Sequence, residues 1–183
     1  HLYNKIGNYF ETDPEERAYL LTWMVMSLIK APMPYLLELG GPQGAGKSTA
    51  AALLKNIVDP ADGDIEDNAG VSSFTNLDEV FLNRVYNQNV TVIDNESSLS
   101  SGAQDTLCRV ITGFEYTERI LFTQSQKHLF IKRPIIVTSI ENVVTREDLK
   151  SRTLTVTLGQ PNTLETELYK NWRGDVPDDN DDS

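Results

Sequence analysis

Gly41-Pro42-Gln43-Gly44-Ala45-Gly46-Lys47-Ser48, followed by Thr49, matches the pattern G-x-x-x-x-G-K-[ST] at every fixed position. Glycines at this spacing let successive backbone N–H groups turn inward around a phosphate. A helix starting directly behind them adds unpaired donors and the positive end of its dipole. Lys47 is placed to neutralise β- and γ-phosphates, and the Ser48 hydroxyl to ligate Mg²⁺. A glycine-rich strand-to-helix turn that binds nothing would share the local pattern, so the context decides. Tyr35 to Leu39 reads as a short buried strand, and Ala50 to Val58 as an alanine- and leucine-rich helix. Gly41 to Thr49 are therefore expected to hold the phosphates of ATP or GTP.

A bound nucleotide needs a metal, and its hydrolysis needs a group that activates water. Val90-Thr91-Val92-Ile93-Asp94 is an apolar, β-branched run that ends in an acid. A buried strand ending in this way beside a phosphate loop holds the metal, directly or through water. An aspartate at a strand end is by itself a common turn former. Following the phosphate loop, Asp94 becomes the candidate metal partner of Ser48. Glu96 is the nearest carboxylate that could position or deprotonate the attacking water, its other reading being a solvated loop residue.

Around these residues the chain alternates strands and helices. Asp13-Pro14-Glu15-Glu16 opens a helix, with Asp13 as N-cap, Pro14 at the first position and Glu16 reaching back. That helix is expected to run to about Lys30 with Leu20, Leu21, Met24, Leu28 and Ile29 inward, and Pro32 and Pro34 stop it. A short strand is expected over Val71 to Phe74. Asn76-Leu77-Asp78-Glu79 caps a helix carrying Val80, Phe81 and Val85. Ser101 to Thr112 forms another helix, closed by Gly113. From Tyr116 the pattern changes to strand, and Arg119 to Phe122 and Lys127 to Ile131 read as a hairpin with a polar tip. Pro134 to Ser139 is a buried strand ending in hydroxyls. Thr145-Arg146-Glu147-Asp148 has capping-box spacing for a short helix. Thr153 to Leu158 alternates as a last strand, and Asn162 to Trp172 as a closing helix. The expected fold class is α/β, three layers around a mainly parallel five-stranded sheet.

The 183 residues suit one domain with short appendages, and 39% apolar content with mixed charge suits a soluble globular chain. No apolar run reaches membrane-spanning length, so no membrane partner is expected. A single cysteine, Cys108, rules out an internal disulfide and fits a reducing, cytoplasmic location. The start at His1 suggests a fragment of a longer protein. The net charge of −11 excludes a broadly basic, nucleic-acid-coating surface. Part of the acid is local, in Asp59 to Asp67 and in the tail Asp178 to Asp182, which leaves room for a basic groove elsewhere.

The order strand, phosphate loop, strand ending in Asp, hairpin, polar-ended strand and arginine-bearing helix resembles an AAA+ P-loop ATPase core. Asp94-Asn95, Leu107-Cys108-Arg109 through Gly113, Arg133-Pro134-Ile135-Ile136 and Val144 through Arg152 resemble the primase-associated ATPases of phages and mobile elements. More distantly, Lys127-His128 followed by Lys132 through Thr138 is similar to the superfamily 3 helicases. In those, a pre-sensor hairpin bears a Lys-His pair that tracks single-stranded DNA inside a hexamer. The resemblance implies Thr138 as the sensor that orients water, with Ser139 as substitute. It implies Arg152 as an arginine finger reaching a neighbour's γ-phosphate, with Arg146 as competitor, and Lys127 and His128 as DNA contacts. Surface ion pairs to Glu147 or Asp148 and a solvated hairpin tip are the plainer readings of those residues. Two departures stand out: Asn95 follows Asp94 where an Asp-Glu pair is common, and Ile140 stands where the viral helicases have Asn.

The implied division is an N-terminal helical segment (1–33) packed on the core, an ATPase core (34–160), and a C-terminal helix with an acidic disordered tail (161–183). The implied activity is that of an ATP- and Mg²⁺-dependent motor of a ring, a hexamer by analogy. It would act on single-stranded or forked DNA, with a primase as a candidate partner. Its alternative is an AAA+ remodelling or switch ATPase working on a protein partner, which the acidic charge favours. A nucleotide kinase would need a lid arginine cluster, for which the chain offers no clear candidate.

Overall fold

A computed structural model describes residues 12–30, 35–60, 79–119 and 126–159. The helix α1 spans Pro14–Leu28. The strand β1 (Leu36–Gly40) leads into α2 (Lys47–Val58), and α3 (Glu79–Asn87) into β2 (Thr91–Glu96). After α4 (Ser101–Thr112) come β3 (Phe114–Arg119), β4 (Gln126–Ile131), β5 (Ile135–Ser139), the short α5 (Glu147–Lys150) and β6 (Thr153–Thr157). The four parallel strands lie in the order β2-β5-β1-β6, and β3 pairs antiparallel with β4 as a separate hairpin. The fifth strand expected over Val71 to Phe74 and the helix over Asn162 to Trp172 lie outside the described residues.

Alternation along the strands explains the layers. Leu37, Leu39, Val92, Ile136 and Val156 face one way and pack on Leu20, Trp23 and Met24 of α1 and on Ala50, Ala51 and Leu54 of α2. Leu36, Ile93, Ile135 and Val137 face the other way, onto Phe81 and Val85 of α3, Leu107, Val110 and Ile111 of α4 and Leu149 of α5. With both faces covered, a parallel sheet reads as continuous apolar runs, which is how β1 and β5 read in the sequence.

The structure corrects several local expectations. Asp13 caps α1 as expected, accepting from the N–H groups of Glu15 and Glu16 at 2.9 Å each. Glu16 does not reach back to the cap. Its Oε1 accepts the Thr157 N–H at 2.9 Å, tying the helix start to β6 at the sheet edge. α1 stops at Leu28. Leu28 and Ile29 are 54% and 69% exposed, while Trp23 is buried and donates its indole N–H to the Tyr35 carbonyl at 2.9 Å. Trp23 continues the i, i+3, i+4 stripe begun by Leu20, and the stripe ends one turn before Leu28. The first hairpin strand begins at Phe114, two residues before Tyr116, because Gly113 at φ +102° ends α4 and turns the chain straight into β3. α5 has Arg146, not Thr145, at its N-cap, without a side-chain capping bond.

A part-buried ion pair, with Lys55 buried and Asp59 half-buried, joins the end of α2 to the start of β2. Lys55 Nζ donates to Asp59 at 3.2 Å, and the same carboxylate accepts from Asn89 Nδ2 at 2.9 Å, Asn89 N at 3.0 Å and Val90 N at 3.1 Å. Burial alone pushes the Asp59 carboxyl up. The bonds from Asn89 and Val90 and the Lys55 ammonium outweigh it and hold the group below the ordinary carboxylate range. A lowered folded-state pKa gives stability that is present above the unfolded value, about 3.9, and is lost as pH falls through the folded one. Asp59→Asn, which strands the buried Lys55 charge, is expected to cost about 3 kcal/mol at neutral pH. In urea melts its deficit against wild type should shrink as pH drops below about 4.

Candidate nucleotide site

The phosphate loop lies between the C-terminal end of β1 and the start of α2, and two glycines there are fixed for different reasons. Gly41 has φ +139°, and a Cβ on it would meet the Leu158 carbonyl oxygen at 2.5 Å, so the end of β6 closes directly on the loop. Gly46, the N-cap of α2, has φ +74° with open space around it, so its requirement is the left-handed backbone itself. Lys47 Nζ donates to the carbonyls of Gly41 and Pro42 at 2.8 Å each, which lays its ammonium across the loop.

Opposite the loop, the sheet supplies a carboxylate. Ser48 Oγ donates to Asp94, standing 2.9 Å from each carboxylate oxygen, and Thr138 Oγ1 donates to Asp94 Oδ1. The Thr138 hydroxyl in turn accepts the Asn95 N–H at 2.8 Å. Ser48, Asp94 and Thr138 come from α2, β2 and β5, and they meet because the C-terminal ends of β2 and β5 lie side by side in the sheet. A cleft of about 530 Å³ opens beside them, lined by Gln43, Gly44, Lys47, Ser48, Asn95 and Thr138 among others. That size lies within the range of small-molecule sites.

Asn95 has a role that was not foreseen from the sequence. Along β2 and β5, Ile93 stands opposite Val137 and Glu96 opposite Ser139, so Asp94 and Asn95 together face the single residue Thr138. This bulge puts Asn95 at φ +57°, a left-handed conformation that asparagine tolerates better than most residues. Asn95 then lines the cleft. Glu96 takes the register position next after Asp94, opposite Ser139, and is not among the residues that line the cleft. The residue type after Asp94 was the only available signal.

Neither Arg146 nor Arg152 is among the residues that line the cleft. Arg146 sits between Asp105 at 2.5 Å and Asp148 at 3.1 Å. Its hydrogen bond holds the exposed Asp148 carboxyl below the ordinary range. Arg152 precedes β6, and its carbonyl accepts the Leu36 N–H at 3.0 Å, at the N-terminal end of β1. The phosphate loop follows the other end of that strand, about 16 Å away at ~3.3 Å per residue, beyond the reach of an arginine side chain. For the hairpin pair, His128 is exposed with Nδ1 3.3 Å from Thr117 Oγ1, and the side chain of Lys127 lies outside the described residues.

Two buried side chains, also missed in the sequence, hold the segment that links Thr138 to the arginines. Glu38 Oε1 accepts from the N–H groups of Val143 and Val144 at 2.7 and 3.1 Å. Gln104 Oε1 accepts from Thr145 and Arg146, both at 2.9 Å, while its Nε2 donates to the Leu99 carbonyl and the Thr145 hydroxyl. An acid inside an apolar strand and a glutamine on a helix carry no sequence signature of this work.

The residues present fit a nucleotide with magnesium. Among the described residues there is no group of three or more His, Cys, Asp or Glu that could cage a metal. A hydroxyl and one carboxylate facing a phosphate loop is the arrangement magnesium uses when phosphates complete its shell. Among the described residues no helix is long and apolar enough to cross a membrane.

Comparison with known proteins agrees with this architecture. No curated protein matches the chain. The apo C-terminal region of NrS-1 superposes with a TM-score of 0.59 at 20% identity, covering 93% of this chain and 42% of that one. A JCV helicase crystallised with a small molecule gives a TM-score of 0.55 at 16% identity, covering 88% of this chain and 45% of the helicase. The chain thus shares the fold of these structures and spans less than half the length of either. The family model of the actinomycete integrative conjugative element replication protein matches residues 3–178, and the chain belongs to that family.

Proposed function

We propose that this chain is the ATP-hydrolysing core of a ring-forming DNA helicase or primase-helicase that replicates a mobile element. The observation that carries the reading is the Ser48–Asp94 hydrogen bond, which brings the start of α2 and the end of β2 together beside the cleft. The family's replication role, and the helicase identity of a structural neighbour, support DNA as the partner.

In this reading Gly41 to Thr49 wrap the triphosphate with backbone N–H groups, and Lys47 transfers its bonds from the loop carbonyls to phosphate oxygens. Ser48 and Asp94 would hold Mg²⁺, which supplies positive charge to the β- and γ-phosphates when bound. Thr138 fixes the Asp94 carboxylate and the Asn95 N–H at once, so it sets the geometry of both. Glu96 takes the proton of the attacking water. The bulge reconciles this with the uncommon Asp-Asn pair: Asn95 is the extra residue, and Glu96 occupies the register position of the residue after the aspartate. The cation for the transition state comes from Arg152, or from Arg146 once released from its carboxylates, in the neighbouring subunit.

ATP turnover should therefore rise with protein concentration as subunits assemble, and rise further with single-stranded DNA. Glu96→Gln should bind a fluorescent ATP analogue like wild type and lose about 10²- to 10⁴-fold in turnover. Lys47→Ala should lose the binding itself. Full turnover in Glu96→Gln, with loss in Asn95→Ala, would transfer the water-activating role to Asn95.

A further inference from the structure

We propose that the outward face of β4 and the cavity at its foot form a track for single-stranded DNA, with Phe130 stacking a base and Lys132 and Lys30 holding the adjoining phosphates. The proposal rests on the DNA-binding reading and assigns it residues that the hairpin pair alone does not supply.

Along β4, Leu129 and Ile131 point into the core, so the alternate positions face outward. His128 is exposed, and Phe130 is 61% exposed. Lys132 continues the row. A Cβ placed on Gly113 would meet Phe130 Cζ at 2.8 Å and Lys132 Cδ at 3.3 Å, so both side chains lie against the same patch of backbone. The phenyl ring is seated at its tip and open elsewhere, an aromatic surface whose position is already fixed. An exposed aromatic ring with a lysine two residues on suits a single strand, because each base offers a face and each phosphate a charge.

Phe130 and Lys132 also line a cavity of about 200 Å³ together with Lys30, Asn89, Arg133 and Pro134. Asn89 and Pro134 precede β2 and β5, so the cavity lies at the N-terminal ends of the strands, the length of the sheet away from Ser48 and Asp94. Its volume is below the roughly 300–1,000 Å³ of sites that enclose a whole small molecule, which suits one unit of a polymer. Arg133 donates to the carbonyls of Gln88, Tyr86 and Lys132 and is spent on closing α3. Among the described residues no carboxylate pairs with Lys30 or Lys132. In a chain of net charge −11, two such lysines beside an exposed phenyl ring are a local reversal of sign. Glu115 stands opposite Phe130 across the hairpin and is exposed, so it repels phosphates toward the lysine side.

The test is anisotropy of a fluorescein-labelled oligo(dT) with the full chain and a non-hydrolysable ATP analogue, scanned over NaCl. Phe130→Ala and Phe130→Leu should each weaken binding about tenfold with the salt slope unchanged, and Phe130→Tyr should bind like wild type. Lys132→Ala and Lys30→Ala should each flatten the slope by about 0.7. Glu115→Gln should tighten binding. Tolerance of leucine at position 130, or equal affinity and slope in all variants, overturns the track while leaving DNA binding in place. A Phe130→Ala effect confined to subunit assembly overturns it by assigning the ring to a protein interface. Failure of wild type to bind the oligonucleotide at low salt overturns both the track and the DNA reading, and leaves the nucleotide site standing.

Discussion

The Asp94 carboxylate is the point on which the arrangement depends. It receives the Ser48 hydroxyl from the phosphate-loop helix and the Thr138 hydroxyl from the neighbouring strand, and Thr138 also takes the Asn95 N–H. A carboxylate acceptor strengthens the two hydroxyl bonds, and burial of the Thr138–Asp94 bond makes it costly to leave unmade. Through this one group the loop, the bulged end of β2 and the end of β5 hold a common geometry. The parallel sheet provides the rest, since side-by-side C-terminal strand ends are where open α/β sheets leave room for ligands.

A second layer of constraint lies behind the first. Glu38 and Gln104, one from β1 and one from α4, grip four consecutive backbone N–H groups from Val143 to Arg146. That segment joins the strand carrying Thr138 to the arginines, so the sheet and α4 set where Arg146 and the start of β6 emerge. The cleft and the arginines thus belong to one framework, yet Arg152 sits at the far end of β1 from the glycine-rich loop. Under the proposed reading, an arginine so placed would serve the phosphate loop of a second copy rather than its own.

Elements whose chemistry is local were legible in the sequence. The glycine–lysine–serine spacing, the Asp13 cap, the helix over Ser101–Thr112 and the β-branched strands follow from propensity and pattern, and the structure places them accordingly. Thr138, reached only by resemblance, does meet Asp94. What stayed hidden depends on contacts far apart in the chain. The inward turn of Trp23 in place of Leu28 is set by where α1 meets β6. The bulge at Asn95 is a register fact between two strands, and a pattern of alternating residues cannot announce an extra one. Glu38 and Gln104 read as ordinary polar residues until the loop they satisfy is folded over them.

Whether each active site takes its phosphate loop from one chain and its arginine from the next can be decided by mixing two inactive variants. Lys47→Ala lacks the loop cation and Arg152→Ala lacks the finger, so each alone should turn over ATP at background rate. In rings built head to tail, an equal mixture should recover about a quarter of the wild-type rate, because random neighbours restore an intact pair at that fraction of interfaces. A mixture as inactive as its parts, or wild-type ATP hydrolysis in both Arg152→Ala and Arg146→Ala, would contradict a site divided between subunits.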